Sequence, residues 1–355
     1  MGTRAAVKAR PASVRARVFG ALIVAAITGS YTYSTLRNSG PEIMANDFTY
    51  SWLAARAVAA RTNPYDTVRS QPTPWGGGWF YPHPAALIAL PLAWLPVRAA
   101  GAVFIAVSCG LLAFLVTRGG MWRLTLFLSA PALRVCQGVQ WSPLLVAGAI
   151  CPNLLGIVAA KPNLGAALFA YQTSWRAVTR GLIGAGVLVA ISLAVDSGWP
   201  SDWIQTLRAD HSVIQYRAPI LTPFGVPIAL AALKWRRPEA RLLFAIGCLP
   251  QNGFFYDQLP LLLIPATAAE ILMLAGVSHI GNFLAMAARM PGGDVPTWSA
   301  TYFPFMVASL YLPCVILVLG RANEGPLPSW IEKRVEGLPT WFRGSVSNTS
   351  TGSLC

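Results

Sequence analysis

Four stretches of this chain each hold roughly twenty nearly uninterrupted apolar residues, the length at which a helix crosses the hydrocarbon core of a bilayer. They run over residues 18–36, 99–117, 258–277 and 300–320. Only 11% of the 355 residues are charged and 55% are hydrophobic, whereas a soluble domain is about one quarter charged. The sequence therefore predicts an all-α, polytopic transmembrane helical bundle.

Other apolar windows are shorter or interrupted by proline, and they bring the expected total to about ten spans. Irregular backbone survives at membrane depth only where protein buries it or where it lines a wet cavity, so broken helices around a site are expected. The predicted organisation is a basic segment (1–17), a transmembrane domain (18–320) with a loop carrying short helices (37–84), and a polar tail (321–355). The further apolar windows lie at 83–97, 124–136, 141–172, 181–195, 217–233 and 242–250.

The net charge of +14 is explained by membrane topology, because the basic residues form short clusters between apolar windows. No basic stripe with interleaved aromatic residues is present, so no nucleic-acid partner is predicted. The positive-inside rule places the N terminus in the cytoplasm and the loop after the first span outside the cell membrane. A cleaved signal peptide is the alternative, but no clean small-residue cleavage site follows the first apolar run. The basic residues before that run are Arg4, Lys8, Arg10, Arg15 and Arg17.

The sequence contains no soluble catalytic signature, neither a P-loop, HExxH or GxSxG motif nor a dinucleotide-binding fingerprint. Its six cysteines show no CxxC spacing, and three histidines leave little room for a His-based metal site. We predict no metal and no cofactor. Any chemistry must come from acids, bases and amides near the membrane surface.

One ordered series of motifs begins directly after the first span. Asp47 is the second residue of NDFTYSWLAARAVAARTNPYD (46–66), which ends in an Asn-Pro-Tyr-Asp turn; Phe80-Tyr81-Pro82 and a PLAWLP segment (91–96) follow. This series resembles the first external loop of glycosyltransferase family 87, the polyprenyl-phosphate-mannose-dependent mannosyltransferases of the GT-C class. His83 stands where a second proline is commoner in that family.

Two later elements extend the resemblance over residues 18–275. Gly138-Val139-Gln140, followed by Lys161-Pro162, is similar to the family's Gly-Gln and Lys-Pro motifs, although Val139 separates the glycine from the glutamine. The segment FYDQLPLLLIP (255–265) looks like the Tyr-Asp ending of many members.

The resemblance implies a membrane glycosyltransferase of the hexosyltransferase type. It would move a sugar, mannose in the family, from a polyprenyl-phosphate carrier to a lipid or glycan acceptor on the external face. The anomeric configuration would invert, and no obligatory metal is implied. Asp47 is the expected general base, since partial desolvation at a membrane interface raises the pKa of an acid and improves it as a base.

The leaving phosphate needs cations or amide donors, and sugar hydroxyls need hydrogen-bond partners. Lys161 is the most specific candidate for the phosphate because a lysine in an apolar, Pro-flanked segment is expensive to place. The expected substrate-binding residues are Lys161, Gln140, Tyr81, Arg56, Arg69 and Asp257.

Each assignment has a plainer alternative. Asp47 is also suited to cap a helix that begins near Phe48, and Lys161 to reach lipid headgroups. Gln140 and Tyr81 are also suited to joining helices, and Asp257 to pairing with an arginine.

The competing function is a transporter or flippase for a lipid-linked or polar substrate. Transporters usually contain related halves, and the sequence shows no internal repeat. A transferase predicts that Asp47, Gln140 and Lys161 converge on one external cavity open to lipid, whereas a transporter predicts polar residues near the bilayer midplane.

Overall fold

The computed structural model describes residues 12–209, 217–222 and 224–325. Helix accounts for 75% of these residues, and none of them belongs to a strand, so the predicted helical bundle is confirmed. The α-helices are α1 (Val14–Asn38), α2 (Phe48–Ala59), α3 (Pro64–Ser70), α4 (Pro84–Ala89), α5 (Val97–Val116), α6 (Ala130–Gly138), α7 (Ser142–Ile150), α8 (Pro162–Ala170), α9 (Trp175–Val195), α10 (Trp199–Ala209), α11 (Pro238–Cys248), α12 (Ala268–Ala287), α13 (Val295–Met306) and α14 (Leu312–Leu319).

Short 3-10 segments connect many of these helices, and several begin with proline. A π-helical segment, Val307–Tyr311, joins α13 to α14. Proline cannot donate the backbone hydrogen bond of a continuous helix, which explains why the less regular apolar windows form short, separate pieces. The 3-10 segments are Pro41–Ile43, Leu90–Leu92, Thr117–Gly119, Met121–Leu128, Pro152–Ala160, Pro219–Leu221, Val226–Lys234 and Tyr256–Leu263.

Five helical segments among the described residues are long and apolar enough to cross a membrane. They are Val14–Asn38, Val97–Gly119, Trp175–Val195, Ala268–Ala287 and Val295–Leu319. The windows predicted at 18–36 and 99–117 lie within these segments, and the window at 300–320 extends one residue beyond Leu319. The total of about ten spans stays a prediction, since the other apolar windows form shorter elements.

The window predicted at 258–277 has the wrong bounds. A 3-10 segment ends at Leu263, and α12 begins at Ala268 and continues to Ala287, so residues 279–287 belong to the same long helix. Thr267 starts α12, because its hydroxyl accepts the Glu270 backbone N–H at 3.2 Å. The Glu270 carboxylate in turn accepts the backbone N–H of Ala266 at 2.6 Å and thereby completes a capping arrangement.

The helices α1 and α5 pack against each other in antiparallel directions through small residues. A β-carbon built on Gly29 would lie 2.9 Å from the β-carbon of Ala106, and one built on Gly110 would lie 3.0 Å from that of Ala25. Small side chains at spacings of about one turn let two helix backbones approach closely, the usual way in which helices associate in lipid.

The outward faces of α1 and α9 remain apolar. Phe19 and Leu22 on α1 are 67% and 63% exposed, and Ile183 on α9 is 61% exposed. Continuous apolar surface of this kind requires a lipid environment or another apolar surface. These faces agree with a helical protein of several membrane-crossing segments.

The predicted domain limits are only partly within the described residues. Ser13 caps α1, which begins at Val14, four residues before the predicted start of the transmembrane domain at residue 18. The loop 37–84 contains α2 and α3, as expected of a loop with short helices. Most of the basic segment (1–11) and of the polar tail (326–355) lies outside the described residues.

Candidate functional site

A single cavity of about 680 Å³ brings together the polar residues singled out in the sequence. Asp47, Gln140, Lys161 and Tyr81 all line it, although they come from distant parts of the chain. A volume of this size falls within the range of small-molecule sites, roughly 300–1,000 Å³.

The cavity lies at one end of the bundle. Among its lining residues, Arg289 follows the end of α12 and Val295 begins α13. Asp47 lies nine residues after the end of α1, and Trp203 lies on α10, which follows α9. Two of the five long helices, α12 and α13, thus end or begin beside the cavity, so the site lies near these helix ends.

Aromatic packing fixes the backbone on both sides of the Asp47–Gln140 pair. Phe48 stacks on Phe104 of α5 with ring centroids 4.4 Å apart, and Phe104 meets the edge of Trp141 at 4.9 Å. All three side chains are buried. Because Phe48 follows Asp47 and Trp141 follows Gln140, this cluster holds the two polar side chains in one place.

The carboxylate of Asp47 accepts a hydrogen bond from the Gln140 side-chain amide. Asp47 stands at the N-cap position of α2, but its side chain makes no capping hydrogen bond to that helix. The interpretation of Asp47 as a helix cap is therefore wrong for its side chain. The carboxylate instead faces the cavity.

Surrounding protein raises the pKa of the Asp47 carboxyl, and this desolvation is the largest influence on it. The hydrogen bond from Gln140 and the positive charge of Lys161 act in the opposite direction, while the charge of Asp257 adds to the rise. Asp47 is still partly accessible, because it opens onto the cavity. These conditions suit a carboxylate that accepts a proton from a bound molecule.

Three of the site's segments contain a non-glycine residue in the left-handed backbone region. Asn46 (φ 51°) precedes Asp47, Val139 (φ 49°) precedes Gln140, and Phe255 (φ 71°) lies two residues before Asp257. A β-branched or aromatic residue rarely adopts this conformation, and such strain is typical of functional sites. Val139 is thus the residue at which α6 ends and the chain turns Gln140 toward Asp47.

Lys161 and Asp257 form a buried ion pair. The Lys161 Nζ donates to Asp257 Oδ1 at 2.6 Å, with side chains 10% and 2% exposed. Lys161 also lines the cavity. Asp257 does not line the cavity. It pairs with Lys161, whereas the alternative drawn from the sequence was a pairing with an arginine.

The remaining predicted residues differ in placement. Tyr81 is half-buried and lines the cavity. Arg56 is exposed, with its guanidinium 4.8 Å from the ring centre of Trp52, and Arg69 Nη2 donates to Thr206 at 3.5 Å. Neither arginine lines the cavity, because α2 and α3 turn these side chains away from it.

Two arginines that the sequence interpretation left aside do line the cavity. Arg134 lies on α6, and Arg289 follows α12. Arg134 lies inside an apolar window of the sequence. A charged side chain in such a segment is energetically costly, so the argument that identified Lys161 as a candidate site residue applies to Arg134 as well. Tyr50 was missed as well: its hydroxyl donates to the Gly76 carbonyl at 2.9 Å and accepts the Trp75 N–H at 3.1 Å.

Within the described ranges, no group of three or more His, Cys, Asp or Glu side chains is placed to hold a metal ion. The fold and the site define a helical bundle with several membrane-crossing helices and a polar cavity at one end. No family model, no curated protein and no solved structure matches the chain.

Proposed function

We propose that this protein is a membrane glycosyltransferase that moves a sugar from a polyprenyl-phosphate carrier to a hydroxyl of a lipid or glycan acceptor. The observation that carries the proposal is the convergence of an Asp47 carboxylate of raised pKa with the basic side chains of Lys161, Arg134 and Arg289 on one cavity of about 680 Å³. The resemblance to glycosyltransferase family 87, and with it a GT-C fold of about ten spans, belongs to the same proposal.

The chemistry requires only one proton acceptor. The acceptor hydroxyl gives its proton to Asp47 while its oxygen bonds to the anomeric carbon of the sugar. The bond between that carbon and the phosphate oxygen breaks, and its electron pair stays on the phosphate. Direct displacement inverts the anomeric centre. A phosphate is already a good leaving group, so holding both reactants in line provides much of the acceleration.

The charge around the cavity favours a phosphate with a single negative charge. Among the described residues, Asp47 and Asp257 supply two negative charges, and Lys161, Arg134 and Arg289 supply three positive ones. The surplus is one positive charge. A sugar joined to a polyprenyl monophosphate is a phosphodiester with one negative charge, whereas a diphosphate-linked or nucleotide-linked sugar carries at least two. We therefore propose the monophosphate carrier as the donor class.

The lining of the cavity also suits a carbohydrate. The lining residues that the structure describes include nine aromatic residues and five side-chain amides. Aromatic rings pack against the C–H faces of sugar rings, and amides satisfy hydroxyl groups as both donors and acceptors. Gln140 and Tyr81 are the amide and aromatic groups that we assign to the sugar, Gln140 because its Oε1 is buried without a hydrogen-bond partner among the described residues.

The transporter alternative is less well supported. A transporter usually binds its substrate near the bilayer midplane, between two related halves. Here the cavity lies beside the end of α12 and the start of α13, and Asp47 lies nine residues after the end of α1. By the positive-inside rule the end of α1 that precedes Asp47 faces outward, so we propose that transfer occurs on the external face of the cell membrane.

The test is transfer by purified protein in lipid vesicles, with mannose on polyprenyl phosphate, polyprenyl diphosphate and a nucleotide as three separate donors. The proposal expects cleavage only of the polyprenyl monophosphate donor and an inverted glycosidic product. Movement of the intact donor between leaflets with no cleavage would contradict the transferase proposal and support a flippase. The acceptors to supply are a membrane lipid extract and a short glycan.

A further inference from the structure

Arg134 reaches the cavity as a cation that has no carboxylate partner among the described residues. Its Nε donates to Asn282 Oδ1 at 2.7 Å, and its Nη1 donates to Gln137 Oε1 at 3.1 Å. Both partners are neutral amides, so they orient the guanidinium without compensating its charge. Its Nη2 is buried with no hydrogen-bond partner in that same part of the chain, so donor capacity remains unmet.

Arg289 is a second uncompensated cation in the same cavity. Its guanidinium carbon lies 3.3 Å from the ring centre of Trp298, and no carboxylate within the described ranges pairs with it. The Arg134 guanidinium lies 5.9 Å from the ring centre of Tyr302, one helical turn after Trp298 on α13. Two like charges therefore lie beside adjacent turns of one helix, an arrangement that an anion would stabilise.

Lys161 is a poorer site for an anion. Its ammonium group already donates to Asp257 at 2.6 Å, and both side chains are buried. An incoming phosphate would face the negative charge of Asp257 close behind that ammonium group. Guanidinium groups, moreover, present parallel N–H donors that match the oxygens of a phosphate.

We infer that Arg134 and Arg289 form the binding site for the phosphate of a lipid-linked phosphate substrate, and that the Lys161–Asp257 pair holds another part of the cavity wall in place. The inference rests on the proposed function for the identity of the lipid, a polyprenyl phosphate. The charge that the leaving phosphate gains on bond cleavage would then form at the two arginines, while the proton goes to Asp47.

The test compares the affinity of purified protein for polyprenyl phosphate with its affinity for the uncharged polyprenol of equal length. Each variant, Arg134→Gln and Arg289→Gln, is expected to reduce the preference for the phosphate by about tenfold or more, since each removes a charge-assisted contact. Arg56→Gln is the matched control, because it removes a positive charge that does not line the cavity. It should leave the preference unchanged.

A phosphate preference that survives in both cavity variants would overturn the inference, as would its absence from the wild-type protein. Arg289 is exposed, so Arg289→Gln keeps the test valid even where Arg134→Gln fails to fold. Displacement of polyprenyl phosphate by an equal concentration of phosphatidylglycerol would assign the site to membrane lipid and reject the substrate role.

The same variants separate this inference from the proposed function. Asp47→Asn should keep the phosphate preference and lose sugar transfer. Transfer by wild-type protein together with unchanged phosphate preference in both arginine variants refutes only the phosphate site. A phosphate preference that depends on the arginines, without transfer from any donor, refutes only the transferase.

Discussion

The side-chain amide of Gln140 donates a hydrogen bond to the carboxylate of Asp47, although 93 positions separate the two residues in the chain. Phe48 and Trp141, their immediate neighbours, belong to one buried aromatic cluster, so the contact is built into the packing of the bundle. The hydrogen bond from Gln140 orients the carboxylate that we assign to proton transfer and lowers its pKa, against the larger effect of desolvation.

The first prediction concerns the pH dependence of transfer. Desolvation raises the pKa of Asp47, and a base must be ionised, so kcat/KM should rise with pH through a value above the ordinary aspartate range, about 4. Gln140→Leu removes a hydrogen bond that lowers this pKa and should move the acidic limb to higher pH. A limb that stays in place or moves to lower pH in Gln140→Leu would contradict this. Gln172→Leu, away from the cavity, should not move it.

The second prediction concerns the pH dependence of stability. An acid whose pKa is raised by folding binds protons more tightly in the folded state. Its contribution to stability is fully present below the unfolded pKa and is lost as pH rises through the raised folded value. Asp47→Asn should remove this decline, making the thermal midpoint less dependent on pH in the mildly acidic range. Equal pH dependence of the two proteins in the same detergent would argue against a desolvated Asp47.

The third prediction concerns the ion pair between Lys161 and Asp257. Lys161→Met leaves a buried carboxylate without a partner and should destabilise the protein by about 3–5 kcal/mol. The double variant Lys161→Met/Asp257→Leu removes both charges and should recover most of the loss. The measurement is a double-mutant cycle of unfolding midpoints. Strict additivity of the two single changes would mean that the pair does not couple.

The fourth prediction concerns the contact between α1 and α5. Gly29→Leu places a large side chain where a β-carbon would already lie 2.9 Å from Ala106, so it should destabilise the bundle by about 1–3 kcal/mol. Gly186→Leu on α9 is the control, because a β-carbon there meets nothing within 4 Å. Comparable losses in both variants would show that packing between α1 and α5 is not the reason.

Much of the helical architecture follows from hydropathy. The windows at 18–36 and 99–117 lie inside the helical segments Val14–Asn38 and Val97–Gly119 because long apolar runs without proline have no competing structure. The bounds predicted at 258–277 are wrong, since Pro260 and Pro265 interrupt the apolar run and Thr267 caps a new helix. Hydropathy alone does not reveal where that helix begins. Proline and capping chemistry decided that boundary.

The candidate site was predicted in part. The order of the motifs predicted that Asp47, Gln140 and Lys161 converge, and all three line the cavity. Each lies beside the end of a helical element, a position that the sequence motifs mark. Arg56 and Arg69 lie away from the cavity, because their helices have faces whose orientation depends on tertiary contacts. Arg134 and Arg289 were missed, since their role appears only when α6, α12 and α13 meet.

The most direct test of the central claim is single-turnover transfer from polyprenyl-phosphate mannose by Asp47→Asn protein, with Asp66→Asn as the control. Asp66 is exposed on α3 and does not line the cavity, so its variant should match the wild type. Asp47→Asn should retain donor binding and slow transfer by about 10²–10⁴-fold, the usual contribution of a general base. Transfer at the wild-type rate by Asp47→Asn would contradict the assignment of Asp47 and the mechanism built on it.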